Sequence, residues 1–172
     1  IIGSSSTRVW GLTSEERLTR LFATKDIPSS QHAIGAHVEP SASSAIGIRG
    51  DHVFEATLVV NLMATEGMVL CLPDGRPVAF HVSAGLTEDA LASLAAGAMS
   101  ETLSAATKVV YPKDLAYNRQ LRKRATPYVL SVTDANKDAI EKQIFAGSYK
   151  GVTDIATKYL FPWPVLAQRR CR

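Results

Sequence analysis

Three sets of residues could carry chemistry in this 172-residue chain. The first is the run Gly3, Ser4, Ser5, Ser6, Thr7 and Arg8, which offers backbone N–H groups, four hydroxyls and one cation between an apolar start and a following helix. That is where an α/β fold holds phosphate. A single glycine also suits a plain polar connection, so both readings stay open. The second is Gly50-Asp51 after the short strand candidate 45–49, where a carboxylate is placed either to hold Mg²⁺ or to shape a turn. The third is Lys150, placed after a helix end as a phosphate cation or as a charge on the helix dipole.

Other chemistries find less support. His32, His37, His52 and His81 lack HxxxH or HxH spacing, and no GxSxG places a serine as a nucleophile. His81, in AFHV, is expected to hydrogen-bond within or beside a strand. Cys71, in MVLCL, is expected to be a buried small hydrophobe, and with Cys171 it makes neither a metal pattern nor a disulfide framework.

Elements that would position these groups can be read from the pattern. Thr13 and Glu16 have capping-box spacing, so a helix should begin near Ser14 and bury Leu18, Leu21 and Phe22. Ile1 and Ile2 read as the end of a buried strand, and 33–38 and 45–49 read as short strands. Residues 54–64 read as an apolar helix burying Leu58, Val59, Leu62 and Met63. The two apolar runs around Pro73-Asp74-Gly75-Arg76 read as a hairpin. Thr87 should cap a helix that buries Leu91, Leu94 and Ala95, and Asp134 should cap one ending at Gly147. A basic helix over 114–124, a strand over 127–132 and a short helix over 152–160 complete the reading. Strands alternating with helices predict an α/β domain, with a mostly parallel sheet covered by helices and one hairpin near Asp74-Gly75.

Composition bounds the function classes. Hydrophobic residues at 46% and charged residues at 20% belong to a globular chain that builds a core of its own. No apolar stretch reaches the roughly 20 residues of a spanning helix. The start reads as trimmed cytoplasmic sequence. The net charge of +3 conceals a division: residues 1–100 hold six Lys/Arg against ten Asp/Glu, and residues 101–172 hold thirteen against six. At the far end Tyr159, Phe161 and Trp163 crowd with Pro162 and Pro164 ahead of Arg169, Arg170 and Arg172. Aromatics beside cations suit either a terminal strap or a segment approaching anionic headgroups. Nucleic acid is not favoured as a partner, for want of a zinc, RNP or helix-turn-helix pattern.

The segments VWGLTSEERLTR, IRGDHVF, LCLPDGRPVAFHV, LRKRATPYVLSV and above all FAGSYKGVTDIATKYLFPWP carry a resemblance that spans most of the chain. It resembles the cytoplasmic N-terminal region of bacterial CDP-alcohol phosphatidyltransferase family proteins, itself similar to a shrunken sugar-nucleotide or MobA-like nucleotidyltransferase. The resemblance implies a Rossmann-like nucleotidyltransferase domain over 1–160 and a juxtamembrane basic and aromatic tail over 161–172. It implies phosphate binding by Gly3 to Arg8 with Lys150, and Mg²⁺ on Asp51, with CTP or a CDP-linked ligand. The partners implied are the protein's own transmembrane domain beyond Arg172 and an anionic membrane surface, with a homodimer left open. The chain would then sit at the cytoplasmic face of the membrane.

This sequence departs from the family pattern at the loop. Ser5 or Ser6 stands where a second glycine belongs, and no Pro-Lys follows Arg8. Without that lysine a triphosphate loses a principal counter-charge. Asp154 only faintly matches a second acidic motif, and the D-x₂-D-G-x₂-A-R signature of phosphoalcohol transfer is absent. Three functions follow as expectations: a degenerate regulatory or substrate-delivery domain of a CDP-alcohol phosphotransferase, an active Mg²⁺-dependent cytidylyltransferase, or a non-catalytic basic module docking on acidic surfaces.

Overall fold

The first helix starts where the capping-box spacing requires. In the computed structural model, which describes residues 1–39, 43–114 and 127–148, α1 runs Ser14–Ala23. The Glu16 N–H donates to Thr13 Oγ1 at 3.2 Å, and the Thr13 N–H donates to Glu16 Oε2 at 2.9 Å. Two otherwise orphaned donors are thus satisfied. Leu18 and Phe22 turn inward, and Leu21 packs partly buried beside them.

The main sheet combines β1 (Ser44–Ile48), β3 (Met68–Cys71), β4 (Pro77–Ser83) and β5 (Lys108–Val110), in the order β1-β4-β3-β5. Alternation along β3 sorts side chains to two cores. Met68 and Leu70 face α1 and α2 (Ala56–Ala64), with Leu58, Val59 and Leu62. Val69 and Cys71 face Phe80, Val82 and the helices α3 (Thr87–Ala96) and α4 (Glu101–Ala106), with Ala90, Leu94 and Leu103. From Pro77 to Val82 every residue of β4 is buried, as a central strand covered on both faces must be.

The α/β class therefore stands, with a mixed sheet. β1 and β3 both pair antiparallel with β4, and β5 alone of the described strands joins in parallel, beside β3. The turn at Pro73–Arg76 explains the first departure from a mostly parallel order. Leu72 N–H donates to Arg76 O at 2.8 Å, closing a hairpin too short for anything but an antiparallel return. β5 returns in parallel because α3 and α4 supply the long crossover that parallel pairing needs. A second, two-stranded antiparallel sheet joins β2 (His52–Phe54) to β6 (Val129–Ser131), over a small core of Val9, Val53, Val132 and Ile140 from α5 (Lys137–Ser148).

Several local expectations shift. The run 33–38 is not a strand: its residues are mostly exposed, it has no ladder, and a turn passes through Gly35 at φ +78°. Phe54 belongs to β2, leaving α2 to start at Ala56. Thr87 lies inside α3, its hydroxyl 3.3 Å from Ser83 O, because a 3-10 turn at Ala84–Leu86 leads into the helix. In the stripe of α3, Ala90 and Leu94 are fully buried whereas Leu91 and Ala95 are half-buried. Thr133, in a capping box with Asn136, caps the 3-10 turn Asp134–Asn136 that leads into α5, so Asp134 lies inside that turn rather than capping the helix. The basic helix over 114–124 falls almost wholly outside the described residues, as do 152–160 and the tail 161–172. Among the described residues no helix is long and apolar enough to cross a membrane.

Candidate functional site

The loop from Gly3 to Arg8 and the Gly50-Asp51 turn lie side by side. Ile2 bridges in parallel to Arg49: its N–H donates to Ile48 O at 2.8 Å, and Gly50 N–H donates to Ile2 O at 2.9 Å. The backbones meet so closely that a Cβ on Gly50 would run into the Gly3 carbonyl, which explains glycine at that position. The Val132 N–H donates to Asp51 O at 2.8 Å, and Ser5 Oγ donates to Val132 O at 3.3 Å. The expected first strand is thus a parallel bridge, and it sets the loop beside the Gly50-Asp51 turn.

The side chains of Ser5, Thr7 and Arg8 are already engaged. Thr7, 7% exposed, donates its hydroxyl to Asp134 Oδ1 at 2.7 Å. Arg8 turns away from the loop, donating to Gly11 O at 2.8 Å and to Glu16 Oε2 at 3.2 Å. Glu16 is held below the usual carboxylate range, first by the Thr13 N–H and then by the neighbouring Arg8. Ser4 and Ser6 face solvent.

Asp51 is the centre of a half-buried cluster. Arg49 donates through Nε to Asp51 Oδ1 at 2.9 Å and through Nη2 to Oδ2 at 2.5 Å, a bidentate clamp, while its Nη1 reaches Leu94 O at 3.1 Å. His52 Nδ1 lies 2.7 Å from Asp51 Oδ1, and since an ionised carboxylate only accepts, that nitrogen carries the proton. Burial by itself would raise the Asp51 carboxyl; the hydrogen bonds from Arg49 and His52, with the Arg49 charge, outweigh it and hold the group far below the usual range.

A Mg²⁺ ion needs open carboxylate oxygens in near-octahedral surroundings. In this arrangement Asp51 offers no such edge, because a divalent cation would meet the clamped guanidinium. Among the described residues no group of three or more His, Cys, Asp or Glu side chains gathers as a metal cage. Lys150 lies outside the described residues, as does Asp154.

Arg49 and His52 are the members of this cluster that motif reading passed over. Their signal was adjacency, in Ile48-Arg49-Gly50-Asp51-His52, and it becomes visible only because the turn folds both side chains onto one carboxylate. His81 behaves as its strand position predicts: Nδ1 lies 2.9 Å from Leu62 O and Nε2 3.3 Å from Ser44 Oγ. Cys71 is buried, again as its apolar run predicts. No protein-family model matches this chain, and no curated protein or solved structure is significantly similar to it.

Proposed function

We propose that this chain is a nucleotidyltransferase-like domain that no longer performs nucleotidyl transfer. It serves a membrane CDP-alcohol phosphotransferase of phospholipid or related head-group synthesis in regulation or substrate delivery. The observation that carries this reading is the clamp on Asp51. The carboxylate that the family resemblance assigns to Mg²⁺ is bound on both oxygens by Arg49 and on one by His52. The loop beside it spends Thr7 on Asp134 and Arg8 on Glu16, leaving no free cation among its own side chains for a triphosphate. In this reading the Rossmann-like ancestry survives in the helix-covered sheet and the strand-to-loop entry. The working partners are the membrane domain that would follow Arg172 and the anionic surface at the cytoplasmic face.

The second reading, an active cytidylyltransferase, draws on the contact between Gly3 and Gly50, which puts loop and carboxylate together as such an enzyme needs. It requires Arg49 to leave Asp51 when CTP and Mg²⁺ arrive. Calorimetry with CTP and Mg²⁺ separates the two. The degenerate domain shows no binding at millimolar nucleotide, whereas tight metal-dependent binding that weakens in Asp51→Ala would establish the enzyme instead.

A further inference from the structure

A cavity of about 490 Å³ opens between α1 and the second sheet, well within the size of small-molecule pockets. Most of its wall is apolar, with Leu18 and Leu21 from α1, Phe54 from β2 and Ile144 from α5. Polar side chains interrupt that wall, among them Ser14, Arg17 and His52. Positions 14, 17, 18, 21 and 24 form one stripe at helical spacing, so α1 presents its polar and apolar lining on a single face.

Each of the three carries a buried polar atom without a hydrogen-bond partner: Ser14 Oγ, Arg17 Nε and His52 Nε2. Ser14 is 2% exposed and His52 6%. Leaving a buried donor or acceptor unpaired is costly, and three such groups on residues that line one cavity point to a common ligand that draws them out. Its chemistry follows from theirs. Ser14 and Arg17 donate, and Ser14 is the first residue of a ten-residue helix whose N-terminal dipole end favours negative charge. His52 spends its Nδ1 proton on Asp51, so in the neutral ring Nε2 accepts. A singly protonated phosphate monoester supplies acceptor oxygens and one O–H donor together, and the remaining wall suits a hydrocarbon tail.

Charge agrees with that choice. Arg17 and Arg20 line the cavity against one carboxylate, Glu55, which accepts from the Thr57 hydroxyl at 2.8 Å. Arg17 also donates through Nη2 to Val9 O. Burial pulls its guanidinium below the usual range, against the opposing influence of Tyr128 and Glu141.

We propose that this cavity binds a phosphate monoester with a short apolar tail, its phosphate held by Ser14, Arg17 and His52 and its tail lying on Leu18, Leu21 and Phe54. The site shares His52 with the Asp51 cluster through the other ring nitrogen, but it needs neither nucleotide nor metal, so octyl phosphate binding is tested independently of the function proposed above.

The test is calorimetry on the 172-residue chain with monomeric octyl phosphate, using inorganic phosphate and octanol as head-only and tail-only controls. One saturable site is expected, with octyl phosphate at least about tenfold tighter than either control. Ser14→Ala and Arg17→Lys, which keeps the charge but loses Nε–H, each weaken it about tenfold. Because Arg17 also holds Val9, Ala56→Leu provides a second variant that fills the cavity and leaves the three polar groups in place, with thermal melts to check folding. Long-range ¹H–¹⁵N spectra should show His52 Nε2 shifting on titration while His81, satisfied at both nitrogens, stays still. Vesicles of phosphatidylcholine and phosphatidic acid in equal parts then identify the source. Competition with octyl phosphate means a lipid head group and no competition a soluble ester, and either keeps the site. Absence of saturable binding at millimolar octyl phosphate, binding indifferent to all three variants, an unmoved His52 Nε2, or binding to vesicles without binding of the monomer overturns it.

Discussion

Replacing Arg49 by Leu tests the reasoning about Asp51 directly. The wild-type side chains are 18% and 25% exposed, so the pair is sheltered but not sealed from water. The substitution removes both bonds of the clamp and the Nη1 bond to Leu94 O, leaving Asp51 with His52 alone. Breaking a fully buried pair costs about 3–5 kcal/mol. Water reaching a fifth to a quarter of this one lowers the expectation to about 2–3 kcal/mol at pH 7.

The pH dependence supplies the sign. Asp51 is depressed in the folded chain, so its contribution is complete above the unfolded aspartate value of about 3.9 and is lost as pH falls toward the folded value. The variant, with a less depressed carboxyl, has less to lose. The gap between the two proteins should therefore narrow by about 1 kcal/mol between pH 7 and pH 3. Urea unfolding followed by circular dichroism at both pH values measures it, provided the m-value is unchanged. A gap below about 0.5 kcal/mol at pH 7, or one of equal size at pH 3, would refute the clamp as described.

Two further outcomes follow from the packing. Gly47 on β1 lies opposite Phe80 on β4, and an added Cβ would run into the Phe80 ring, so Gly47→Ala should cost about 1–3 kcal/mol in the same unfolding assay. Adding Phe80→Leu should recover part of that loss; purely additive effects would show that the ring is not the obstacle. Burial pushes the Cys71 thiol up to about 11, so in a Cys171→Ser background its reaction with a disulfide reagent at neutral pH should be slow and should accelerate with urea. Rapid modification in native buffer would show that the second core opens locally.

The parts of this fold legible from sequence are those set by neighbours along the chain. Thr13 and Glu16 announce α1 because a capping box is a local exchange of hydrogen bonds, and Pro73-Asp74-Gly75-Arg76 announces the hairpin because turn geometry is local too. Apolar spacing likewise marked Leu58, Val59 and Leu62 as core. The direction of the sheet was less legible, since alternating strands and helices leave open which strand inserts beside which. β1 chose β4 and β5 chose β3 across long sequence separations. The run 33–38 misled for the converse reason: apolar residues without a sheet edge to pair with do not make a strand.

By itself, then, the sequence determined an α/β chain with a capped first helix, one tight hairpin, a buried Cys71 and a polar glycine-serine loop ahead of a glycine-aspartate turn. Tertiary structure decided what those groups are free to do. It brought Gly3 against Gly50, turned Arg8 to Glu16, set Thr7 on Asp134 across 127 residues, and closed Arg49 and His52 on Asp51. The physical reason is that residue type specifies which bonds a side chain can make, while only packing specifies which partner arrives, and a carboxylate already satisfied by a guanidinium is a different chemical group from one left open.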